Sequence, residues 1–208
     1  MRIWKNALTV IRDHGRTYLL LNLAVYGALA ASAVLTLLLP GLRERGAQDV
    51  ETFGSVPILS LVTDAYTDGD VLAAAVGTFL ANLLFAAVLT TTLPSLLIPC
   101  LGVVLTLLRT ATIGIWLTPT TPGEAITLLP HLPLIVVELQ AYVLAALGTV
   151  VLWRSTFRHR HLGLPTAGAG YRAGLADLLR LYPVIAAVLL LIAVVEAVEV
   201  IWIMPLLR

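Results

Sequence analysis

Five long apolar runs, Thr17–Leu39, Val71–Leu93, Ser95–Leu117, Leu132–Trp153 and Pro183–Leu207, decide what this chain can become. At about 1.5 Å of rise per helical residue, each is long enough to cross a hydrocarbon core of roughly 30 Å. A spanning segment has no water to satisfy its peptide groups, so the backbone must bond to itself, and helices follow. With 59% hydrophobic residues, 12% charged residues and a mean hydropathy of +0.96, the composition lies outside that of a water-soluble domain. The expected fold is an all-α integral membrane bundle of about five transmembrane helices. A single transmembrane domain over residues 1–208 is expected, because the polar segments, an outer loop over 41–70 and a basic inner loop over 154–182, are short for an independent core.

Two shorter segments suggest elements that do not cross. The stretch from Pro122 to Leu132 is too short to span and is punctuated by Pro130 and, just beyond it, Pro133, so a re-entrant half-helix entering the fourth span is expected. In Tyr171–Leu181, the residues Leu175, Leu178 and Leu179 can share a face with Tyr182, a pattern suited to an interfacial helix before the fifth span or to docking of a cytoplasmic partner. The less polar patch Phe53–Val62 suits the membrane surface.

Orientation follows from the basic residues, which concentrate on cytoplasmic flanks. The N-terminal segment carries Arg2, Lys5, Arg12 and Arg16, and the segment after the fourth span carries Arg154, Arg158, Arg160, Arg172 and Arg180. The loop between the first two spans is rich in Asp and Glu. An odd number of crossings reconciles these signals, with the N-terminus cytoplasmic and the C-terminus outside. A cleaved signal peptide is the competing reading of the start, but the apolar run continues through Val34–Leu39 beyond the small-residue triplet Ala31-Ser32-Ala33.

Charges inside the spans are the candidate functional residues. Glu138, Glu196 and Glu199 face the question of where Arg109 finds its anion, since a charge near the bilayer centre costs about 2.5–3.5 kcal/mol on insertion scales. Glu196 and Glu199, three residues apart, share one side of a helix, and at least one is expected to carry a proton unless water, Arg109 or another chain compensates. A packing network holding the bundle and an acid, base or proton-relay role both remain open. His131, seven residues before Glu138, and Asn22 and Asn82 complete the expected polar network, the asparagines as interhelical hydrogen-bond partners. Ala73, Gly77 and Ala81 form a ladder of small residues that permits close helix approach within the chain or between copies.

Other chemistry is not expected. Arg158-His159-Arg160-His161, with Arg154, reads as a lipid-headgroup contact worth about 1 kcal/mol per basic residue, since two histidines supply only part of a metal site. The single cysteine, Cys100, excludes an intrachain disulfide. No phosphate loop, serine elbow, zinc-protease helix or dinucleotide fingerprint is present, and no cofactor, metal or nucleic-acid partner is expected.

The order of motifs resembles the stage II sporulation protein M family. The resemblance is carried by Trp4 to Asn22, by Asn82 followed by Thr92-Leu-Pro94-Ser-Leu-Leu-Ile-Pro99, and by the glycine-containing span with Arg109. Leu129-Pro-His131 with Glu138-Leu-Gln-Ala141, and Ile192-Ala-Val-Val-Glu196-Ala-Val-Glu199 with Pro205, complete it, His131 and Glu138 standing further apart than the family's usual helical turn. The resemblance implies a multi-pass bacterial cell-membrane protein with no established enzymatic activity, tied to envelope remodelling during engulfment or, in relatives beside circular bacteriocin genes, to peptide maturation or export. The expectation is a non-enzymatic scaffold, with the bilayer, other membrane or envelope proteins, a peptide substrate or a second copy as partners. The alternative is an intramembrane enzyme or proton-coupled permease using Glu138, Glu196 or Glu199.

Overall fold

The computed structural model describes residues 2–39, 41–44 and 57–207, and among them every regular element is helical. The order is α1 (Arg2–Asp13), α2 (Gly15–Leu38), α3 (Pro57–Thr67), α4 (Val71–Leu80), α5 (Leu101–Leu117), α6 (Pro122–Leu128), α7 (Leu132–Phe157) and α8 (Ala167–Val198). Beyond α4 the helix widens into a π-helical stretch, Ala81–Thr92, and returns to α geometry over Leu93–Leu97. Four helices are long and apolar enough to cross a membrane: Gly15–Leu38, Val71–Leu97, Leu132–Phe157 and Ala167–Leu206. The third expected span, Ser95–Leu117, is the shorter helix α5, 17 residues long, which starts at Leu101 because Ile98–Cys100 form a turn with Cys100 at φ 64°. Ser95–Leu97 therefore belong to the preceding helix.

Two further boundaries differ from the sequence reading. Tyr171–Leu181 is no separate interfacial element. It is part of one helix of 32 residues that runs through Pro183, and the expected inner loop over 154–182 shrinks to the short connection around the 3-10 turn His159–Leu162. A proline removes one backbone donor, but continuous packing of Leu178, Leu181, Val184 and Ile185 into the core holds the helix on both sides of it. Pro122–Leu128 forms its own short helix, capped by Thr121, whose hydroxyl accepts from the Glu124 N–H. Of the patch Phe53–Val62, the first four residues lie outside the described ones and the rest opens α3.

The core is built around α7. In its apolar window 67% of residues are buried, against 22% to 39% in the other three long helices, so α7 is the central post. Its largest contact is with α8. A Cβ at Gly174 would stand 2.5 Å from the Leu152 Cα, and one at Gly148 would stand 3.0 Å from Leu178 Cγ, so the two helices meet at backbone distance. Close approach of this kind gains dispersion contacts that lipid tails cannot match at the same density. The outward faces carry Leu19, Leu23, Leu37, Leu108, Leu191 and Trp202, all exposed in the isolated chain and suited to acyl chains.

Helix ends sort into two levels. At one level the Trp153 indole N–H donates to the Ser95 carbonyl, the Tyr171 hydroxyl donates to that of Leu96 at 3.0 Å, and His14 lies within electrostatic range of Arg154 and Asp177. At the other, Arg43 pairs with Glu124 at 3.0 Å and His131 meets Glu199 at 3.2 Å. Arg12, Arg16, Arg154 and Arg158 belong to the first level, and Asp64, Asp68, Asp70 and Glu124 to the second.

Candidate functional site: buried charges toward the acidic end

Helices α5, α7 and α8 each bring a charge into the bundle. Arg109, on α5, places its guanidinium 4.6 Å from the centre of the Tyr142 ring, a cation–π contact in a water-poor setting. Tyr142, buried on α7, donates its hydroxyl to Glu138 Oε1 one turn earlier on the same helix. Arg109 and Glu138 are within electrostatic range. Among the described residues no carboxylate comes within 4.0 Å of Arg109. The direct Arg109–glutamate pair expected from sequence is thus an indirect one, with Tyr142 between the charges.

Glu196 on α8 and Glu199 just past its end part company. Glu199 opens a π-helical turn, Glu199–Ile203, and its Oε2 meets His131 Nδ1 at 3.2 Å. The residue is 3% exposed, and its other oxygen, Oε1, is buried with no hydrogen-bond partner among the described residues. Glu196 is half-buried and lines a recess of about 420 Å³ with Trp116, Glu124, His131, Val200 and Met204. Glu196 remains within electrostatic range of Glu138 and Glu199, so the acidic charges form one neighbourhood although they do not share one partner. His131 and Glu138, read together in the sequence, have different partners. Among the described residues no group of His, Cys, Asp and Glu has the makings of a metal site.

A second polar cluster lies between α2 and α7. Gln140 Nε2 donates to Asn22 Oδ1 at 2.6 Å and to the Tyr26 hydroxyl at 2.7 Å, while Gln140 Oε1 accepts from the Tyr18 hydroxyl at 2.6 Å. The Tyr26 hydroxyl donates to the Val136 carbonyl at 2.7 Å, and Asn22 Nδ2 donates to the Tyr18 carbonyl at 2.8 Å. Sequence reasoning found Asn22 but missed Gln140, Tyr18 and Tyr26, and it missed Tyr142. The spacing of Glu138 and Tyr142 by four residues was the available signal for that last pair. The Asn82 side chain has no hydrogen bond among the described residues, and the ladder of Ala73, Gly77 and Ala81 lines an apolar groove against Val62 of α3.

Titration outside the long apolar helices is informative at both levels. Glu124 is pulled down to about 2 by the Thr120 backbone N–H, then by Arg43 and the Thr120 hydroxyl. His14 is lowered by burial and by Arg154. Arg154, Arg158 and Arg160, expected at lipid headgroups, are exposed at the basic level.

No protein-family model matches the chain, and neither curated proteins nor solved structures give a match.

Proposed function

We propose that this chain is a multi-pass cell-membrane protein of five crossings, α5 included, that serves as a non-enzymatic subunit of a bacterial envelope-remodelling or peptide-export assembly. The basic level faces the cytoplasm and the acidic level the outside, as the positive-inside rule asks. The observation that carries the scaffold reading is the Arg109–Tyr142–Glu138 arrangement, in which a cation and an anion are joined by a side chain of the same bundle. Such a link spends the charges on holding α5 against α7. The motif resemblance to the stage II sporulation protein M family agrees with this reading, and α6 at the acidic level fits a segment dipping back toward the bilayer.

Gentle detergent extraction from the native host tests it. The scaffold retains a stable partner through purification, and recovery of monomer alone counts against the reading.

A second reading rests on a different observation. Glu199 Oε1 is buried without a partner among the described residues and Glu196 lines an open recess, as a proton-coupled permease or an intramembrane acid–base enzyme requires. Replacing Glu138, Glu196 and Glu199 one at a time with Gln separates the two. Loss of transport or processing with intact assembly favours proton chemistry, whereas loss of the folded protein favours packing.

A further inference from the structure

Helix α1 breaks from α2 at His14 and packs instead along the basic-level part of α8. Its surface divides into three stripes. Ala7 and Val10, 1% and 5% exposed, join the core. Next to them Trp4 and Leu8, one turn apart, are 51% and 61% exposed. Beyond these, Lys5 and Arg12 share an exposed face with Thr9, whose hydroxyl donates back to the Lys5 carbonyl, and Arg16, also exposed, follows just past the break at His14. Among the described residues none of Lys5, Arg12 and Arg16 has a carboxylate within 4.0 Å.

We infer that α1 is an interfacial helix whose Trp4–Leu8 stripe enters the acyl boundary while Lys5, Arg12 and Arg16 bind the phosphates of anionic phospholipid. Three observations select this occupant. An apolar stripe ending in tryptophan beside a cationic stripe is the arrangement that lies flat at a headgroup layer. His14, at the end of α1, lies within electrostatic range of Arg154, which puts the helix at the same end of the bundle as the exposed Arg154, Arg158 and Arg160. The chain enters a long apolar helix immediately after α1, which fixes α1 at bilayer height. An interfacial helix was expected from sequence before the fifth span; the structure places one at the opposite end of the chain.

The test uses full-length protein in vesicles, with Cys100→Ser as background and a spin label at Leu8→Cys or at Thr9→Cys. In vesicles containing phosphatidylglycerol, the label at position 8 collides preferentially with oxygen and that at position 9 with a water-soluble nickel chelate. Moving from pure phosphatidylcholine to about one third phosphatidylglycerol raises the oxygen-to-nickel ratio at position 8 by about twofold or more. Replacing Lys5, Arg12 and Arg16 together with Gln abolishes that rise while α2 still inserts. A label at position 8 that meets mainly nickel overturns the inference, as does one shielded from both reagents, which marks a protein partner instead. Equal ratios in the two lipids overturn the anionic preference.

Discussion

The two polar clusters of this bundle solve the same problem to different degrees. Around Gln140 both amide hydrogens are given, the amide oxygen accepts from Tyr18, and the Tyr26 proton goes to the Val136 carbonyl. Around Glu199 one oxygen meets His131 and the other has no partner among the described residues, while Glu196 faces a recess. A saturated network in low dielectric specifies packing, and an unsaturated one keeps capacity for a proton, water or another molecule. The Arg109–Tyr142–Glu138 chain stands nearer the first group, because among the described residues none of its fully buried polar atoms lacks a partner.

The contrast is broken most severely at its cation. Arg109→Leu removes the counter-charge of Glu138 and is expected to destabilise the fold by about 3–5 kcal/mol, read from unfolding in mixed micelles. Gln140→Leu comes next: Asn22 Oδ1 loses its donor and the Tyr18 hydroxyl its acceptor, for a loss of about 1–3 kcal/mol by the same measurement. Glu199→Gln and Glu196→Gln are expected to change stability by less than about 1 kcal/mol, since no saturated network is opened. A large loss from either would move that glutamate into the packing group.

The smallest effect is at the rim. Glu124 titrates near 2 in the folded chain against 4.5 for an ordinary glutamate, so its contribution is complete above 4.5 and is lost as pH falls through 2. Glu124→Gln should flatten the acid limb of the stability profile between those values, by a small loss of stability at neutral pH, and leave stability below about pH 2 almost unchanged. A steeper acid limb in the variant would show that another carboxylate governs it.

Much of this architecture could be read from apolar run length. The first, second, fourth and fifth runs correspond to the four long helices, because a backbone surrounded by hydrocarbon has few alternatives to a helix. Boundaries were less legible. Pro183 marks a break in sequence, yet core packing on both sides of it carries α8 through, and Ile98–Cys100 turn where the apolar pattern runs on. The interior charges were visible by contrast with their surroundings. Their partners were not, since Tyr142 and Gln140 are ordinary helix residues until tertiary structure places Arg109 and Asn22 beside them. The interfacial character of α1 was hidden for a related reason: its basic residues served to orient the chain, and its helical stripes emerge only once Ala7 and Val10 are buried.

The central claim is that Arg109 and Glu138 act on each other through Tyr142. A double-mutant cycle with Arg109→Leu and Glu138→Gln, measured by unfolding in mixed micelles, tests this most directly. The account predicts a coupling of at least about 1 kcal/mol, falling when Tyr142→Phe is introduced into the cycle. Additive losses within about 0.3–0.5 kcal/mol, indifferent to Tyr142, would contradict it.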